Sequence, residues 1–183
     1  FFGVSAVAVT VFLTVLVPPS VFGILGGDEP AVPESFLQTK PQTLASLISL
    51  FIFFSLIYLG LFGPRDPLQN LLPLSLFTVW WIVFPIFQAV LGNLWSWINP
   101  WVGMVQVVFK GHYLKELPAQ VGVWPAIITY FTAAVYTLTD LAPDDPDRLA
   151  RVASGYWLFT FTMCGVFGKT WLYRGEGFTV FFN

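Results

Sequence analysis

Residues 44–62 read LASLISLFIFFSLIYLGLF, nineteen consecutive residues without a charge, closed by Gly63-Pro64. A hydrocarbon core of about 30 Å takes about 20 mostly apolar helical residues. A glycine–proline pair stops a helix and turns the chain. The stretch therefore reads as a membrane-spanning helix, and it sets the standard for the rest of the sequence.

Four further stretches meet that standard: 1–25, 71–91, 121–141 and 152–171. Pro18-Pro19 loosen the last turns of the first. Pro73 is tolerable in the first turn of 71–91, and Pro85 predicts a kink in its interior. The fold class expected is all-α: one integral membrane helix bundle over residues 1–183, with five transmembrane helices plus one interfacial or re-entrant helix. Six crossings is the alternative. The chain opens at Phe1 in an apolar run and closes on Phe181-Phe182-Asn183 where another apolar run begins, so a longer protein is expected. No basic stretch precedes the first run, as a secretory signal would require.

The difference between five and six crossings lies in 93–109, an apolar stretch broken by Asn99-Pro100 and Gly103 and short for a full crossing. Trp97 and Trp101 are four apart, so a continuous helix places them on one face and Trp95 with Asn99 on another. Tryptophan favours the membrane–water interface, where its N–H stays wet. An interfacial or re-entrant helix is the reading. With that segment not crossing, loops 26–43, 92–120 and 169–177 share a side and carry five Lys and Arg. The opposite side carries three, Arg65, Arg148 and Arg151. The larger count favours the first set as cytoplasmic.

Composition points the same way. Hydrophobic residues make up 56% of the chain, aromatics 19% and charged residues 10%, with a mean hydropathy of +0.75. Eighteen charges cannot wet the surface of a 20.5 kDa globule. A net charge of −2 offers no basic footprint for phosphate backbones, so no nucleic-acid partner is expected. One cysteine, Cys164, excludes an internal disulfide and any CxxC pair. The expected partners are the lipid bilayer and other membrane-protein subunits.

No ionisable residue lies in the middle of the five stretches; Asp140 sits at a helix end. That argues against a proton pump or ion-coupled transporter. Thr129, Thr132, Tyr136 and Thr139 recur at helical spacing, and Thr160, Cys164 and Gly168 form a small-residue row. Both read as helix-packing surfaces, with a substrate path as the sharper alternative. His112, the single histidine, cannot build a zinc site that needs about three protein ligands, so no metal is assigned. Asp144, Asp145 and Asp147, with Pro143 ahead of them and Pro146 among them, read as an acidic N-capping turn. In Gly63–Asn70, two prolines fix the backbone, Arg65 and Asp66 tie the loop down by charge-assisted bonds, and Asn70 caps the helix that follows. Arg65 is also the candidate for holding a phosphate or carboxylate. The candidate binding residues are Arg65, Asp66, Asn70 and Asn99. No catalytic residue and no cofactor is legible.

These residues carry a resemblance. Gly63-Pro64-Arg65-Asp66-Pro67, Asn70-Leu71-Leu72-Pro73, Trp80-Trp81, Gly92-Asn93-Leu94-Trp95 and Asn99-Pro100-Trp101 resemble a family of bacterial polytopic membrane proteins commonly labelled fenitrothion hydrolase. The resemblance continues at Val123-Trp124-Pro125-Ala126, Leu149-Ala150, Gly165 and Phe167-Gly168. It ends at Arg174-Gly175-Glu176-Gly177-Phe178, where the family shows Arg-Gly-Glu-Ala-Phe. It implies a multipass protein of the bacterial inner membrane, hydrolysis of an organophosphate triester, and further spans with a His-containing stretch outside this chain. It supplies no catalytic residues. The alternative is a non-catalytic transmembrane subunit or scaffold of a larger respiratory or photosynthetic complex; half of a transporter is a third reading.

Overall fold

The computed structural model describes residues 40–182, and the expected span 1–25 lies outside them. The described residues contain helices and no strand. Two of the helices, Lys40–Phe62 (α1) and Leu71–Leu91 (α2), are long and apolar enough to cross a membrane. Then follow Trp95–Ile98 (α3), Val102–Phe109 (α4), Trp124–Thr139 (α5), Pro146–Phe167 (α6), Lys169–Arg174 (α7) and Gly177–Phe182 (α8).

α1 is apolar all round, and its outer residues Phe51, Tyr58 and Phe62 are exposed. Its last turns cross the first turns of α6, with only Gly60 between them. A Cβ on Gly60 would stand 2.9 Å from Ala150 Cβ and 3.0 Å from Pro146 O. Further along, the Phe54 ring meets Trp157 edge-on at 4.9 Å. α1 and α6 are therefore antiparallel.

α2 begins as expected: the buried Asn70 side chain accepts from Leu72 N at 3.0 Å and caps it. Asn70 Nδ2 also donates to Leu59 O and Pro64 O, locking the turn to the end of α1. The irregularity expected at Pro85 lies ahead of it. Residues Ser75–Val83 form a π-helix, and Phe84 N bonds to Val79 O, five residues back. Widening the helix just before Pro85 changes which carbonyls face the ring that lacks an N–H.

The later helices start and stop elsewhere than the apolar stretches 121–141 and 152–171. Gly122, at a φ of 53°, separates a short 3₁₀ turn, Ala119–Val121, from α5. α5 has sixteen residues, about 24 Å at 1.5 Å per residue. α6 starts earlier than 152, at Pro146, because Asp145 caps it by accepting from Arg148 N. It ends at Gly168, whose φ of 67° is open to glycine and strained for other residues. There the chain reverses, and α7 folds back along α6.

The stretch 93–109 is a hairpin of two short helices. α4 lies against the first half of α1: Gly103 N donates to Ser46 Oγ at 2.8 Å, and Ser46 Oγ donates to Asn99 O. Its far end returns to the end of α6, where Phe109 packs on Gly165 and Leu114 N bonds to Val166 O. The expected pairing of Trp97 with Trp101 fails. Trp95 and Trp101 are buried, at 1% and 4% exposure, while Trp97 is 45% exposed. The break at Asn99-Pro100 resets the helical phase, so spacing across it does not report a shared face.

Candidate functional site

The four residues singled out from the sequence divide into two places. Asn70 belongs to the turn described above. Arg65 and Asp66 stand in the same turn at the surface: Asp66 accepts from Leu68 N and Gln69 Nε2, and Arg65 reaches Asp145 at 3.8 Å. Arg65 is largely exposed, so this ion pair is weak. Asp140 pairs with Arg148 at 2.6 Å and Asp147 with Arg151 at 2.8 Å. Among these groups the Asp140 carboxyl is held below its ordinary value, first by the Ala142 N–H and then by Arg148. His112 is exposed, with Nδ1 3.1 Å from Phe109 O. Among the described residues no three His, Cys, Asp or Glu converge on a point that could hold a metal.

Asn99 lies elsewhere, fully buried at the tip of the α3–α4 hairpin. The Asn99 Oδ1 atom accepts from Trp101 N at 3.0 Å, which fixes the amide's orientation, and Nδ2 donates to Thr179 Oγ1 at 3.0 Å. Trp95 Nε1 donates to the same oxygen at 3.1 Å. Thr179 belongs to α8, so a second hairpin, α7–α8, meets the first.

At the tip of that second hairpin sits Glu176, with 0% exposure. Its carboxylate caps α8, accepting from Phe178 N at 3.0 Å and Thr179 N at 2.6 Å. Thr179 Oγ1 donates to Oε2, and the Tyr156 hydroxyl donates to Oε1. Tyr156 is the eleventh of the twenty-two residues of α6, so the carboxylate stands halfway along that helix. Trp101 packs edge-on against the same Tyr156 ring and donates from Nε1 to Trp157 O. Both hairpin tips therefore meet beside the middle of α6.

The packing that carries them inward is aromatic and close. Trp80 stacks on Phe84 and meets Trp95, Phe178 and Phe182 edge-on. Gln88, near the end of α2, donates to Phe182 O and accepts from Trp95 N, tying the outer ends of the two hairpins together. Arg174 is buried too, and its guanidinium bonds to the carbonyls of Pro118, Ala119 and Gly122. Thr129 Oγ1 donates to Gly175 O, fastening the second tip to α5.

The sequence places Glu176 in a loop between apolar stretches whose middles carry no ionisable residue, and the fold brings that loop in among the helices. The signal that does point to Glu176 is local: an acidic residue three before Thr179, flanked by glycines, ahead of a new apolar run. The hydroxyl rows divide as well. Thr129 faces inward, while Thr132 and Thr139 are exposed and bond to carbonyls of their own helix. Thr160 and Cys164 are fully buried, as a packing row requires.

Compared with known families, curated proteins and solved structures, the chain matches none.

Proposed function

We propose that the chain is a multipass protein of the bacterial inner membrane, related to the group commonly labelled fenitrothion hydrolase, whose residues 1–183 form a non-catalytic transmembrane core. The chain would cross the bilayer five times, at 1–25 and along α1, α2, α5 and α6, and other membrane-protein subunits would pack on the outer faces. Exposed apolar residues on α1, α2 and α5, among them Phe51, Phe62, Val90, Phe131 and Leu138, support a lipid environment. The broken backbone at Asn99-Pro100 and Gly175-Glu176 is enclosed by protein, the condition under which irregular backbone is tolerated at membrane depth.

The observation that favours a core over a catalytic centre is the state of Glu176. A carboxylate offers about four acceptor positions, and here Tyr156, Phe178 and Thr179 take four. The carboxylate is enclosed by protein, with these donors between it and any substrate, so it is not placed to activate water for attack on a phosphotriester. The test is turnover of a nitrophenyl phosphotriester by membranes carrying the protein, with added divalent metals, beside a His112→Ala variant. Turnover no higher than in membranes lacking the protein is expected. Turnover above that background contradicts the reading, and its loss in His112→Ala would favour the hydrolase.

A further inference from the structure

Glu176 is an acid enclosed by neutral groups, and its donors are arranged in one direction. The indole of Trp95 can only donate, and the Asn99 amide is oriented to donate, so both lone pairs of Thr179 Oγ1 are occupied. The hydroxyl hydrogen of Thr179 therefore has to point at Glu176 Oε2. That oxygen also receives Thr179 N. Oε2 is closed to a proton.

Oε1 is different. One of its donors is the fixed N–H of Phe178, and the other is the rotatable hydroxyl of Tyr156. The N–H is held by the backbone of α8, while the hydroxyl can rotate about its C–O bond without moving a heavy atom. We propose that Glu176 is a proton-binding site in the core of the bundle, and that the Tyr156 hydroxyl rotates to admit the proton at Oε1.

The two states differ by one proton taken from solvent. In the anion, Tyr156 donates to Oε1. In the acid, the new Oε1–H donates to the Tyr156 oxygen and the Tyr156 O–H rotates off Oε1. No heavy-atom bond breaks. The acid form keeps the other three donors on the carboxyl and gives the new proton an acceptor, so water-free burial does not forbid it. Buried carboxyls that alternate between these forms are how membrane-embedded proton relays work.

The surroundings suit such a site. On α6, Tyr156 bonds to Glu176, and Cys164 is buried two turns further along the helix. Tyr130 of α5 packs on Gly177. Arg174 of α7 is turned to the carbonyls of residues 118–122. α3 and α4 present Trp95 and Asn99, both neutral. Among the described residues no cation pairs with the carboxylate.

The experiment is infrared difference spectroscopy of the protein in lipid, titrated from about pH 4 to pH 10. A protonated carboxyl band should grow on acidification and be missing in Glu176→Gln. Tyr156→Phe removes a donor from the anion, so the band should appear at a higher pH, by about one unit, a roughly tenfold gain in proton affinity. Thr132→Val, on the exposed side of α5, should leave the midpoint in place. A folded protein with no Glu176-dependent band overturns the site. A midpoint unmoved by Tyr156→Phe overturns the part given to Tyr156. If Glu176→Gln does not fold, mass spectrometry of wild type treated with dicyclohexylcarbodiimide decides. An adduct on Glu176 that increases in acid supports the site, and no adduct overturns it.

Discussion

At the scale of single residues, burial separates side chains that sequence spacing groups together. Trp95 stands among Trp80, Phe84, Trp101 and Phe182, and its N–H has a partner. Trp97 projects outward. Trp95→Ala should lower stability in detergent by about 3–5 kcal/mol, the usual cost of deleting a buried aromatic ring. Trp97→Ala should cost less than about 1 kcal/mol. Thermal melting of the two variants side by side checks the order. A second residue-level expectation concerns acid. Asp140 is held below the ordinary aspartate value of about 4, so the stability it contributes is present above that value. It disappears as pH falls through the lower, folded value. Wild type should therefore lose stability on acidification across that window, and Asp140→Asn should flatten this part of the profile.

Elements owe their ends to particular residues, and those residues decide how much was legible beforehand. Gly63-Pro64, Asn70 and the Asp144–Asp147 turn act through neighbours in sequence, and each does what its type suggests. The starts of α5 and α6 and the end of α6 fall elsewhere than hydropathy alone places them. Gly122, Asp145 and Gly168 set those ends through backbone geometry and capping, and hydropathy does not carry either. Glu176 and Asn99 were harder. Each caps its own neighbours, but the bond that draws it into the bundle goes to a residue 20 or 80 positions away, and no local pattern reports contacts of that range. Gly177 gives a test at this scale. A Cβ there would stand 2.7 Å from Tyr130 Cβ and 2.9 Å from Ala126 O. Gly177→Ala should push α8 off α5 and cost about 1–3 kcal/mol. Denaturation of the variant in detergent measures that cost. A neutral substitution would mean that α8 is not seated as described.

For the whole molecule, the central claim is that two hairpins enter the bundle from one end and bring Glu176 inside it. Arg65 beside Asp145 puts the loops that precede α2 and α6 at one end of the bundle. Leu114 and Lys115 bonded to Val166 put the chain after α4 at the other. In a bilayer the two ends would face opposite compartments, and Glu176 would face neither. The most direct measurement is labelling of single cysteines with an impermeant thiol reagent, in a Cys164→Ser background, in intact cells and in inverted membranes. Asp66→Cys and Asp145→Cys should react from one side and Lys115→Cys from the other, with Glu176→Cys unreactive from both until the protein is denatured. Reaction of Asp66→Cys and Lys115→Cys from the same side, or ready labelling of Glu176→Cys in the folded protein, would contradict the account.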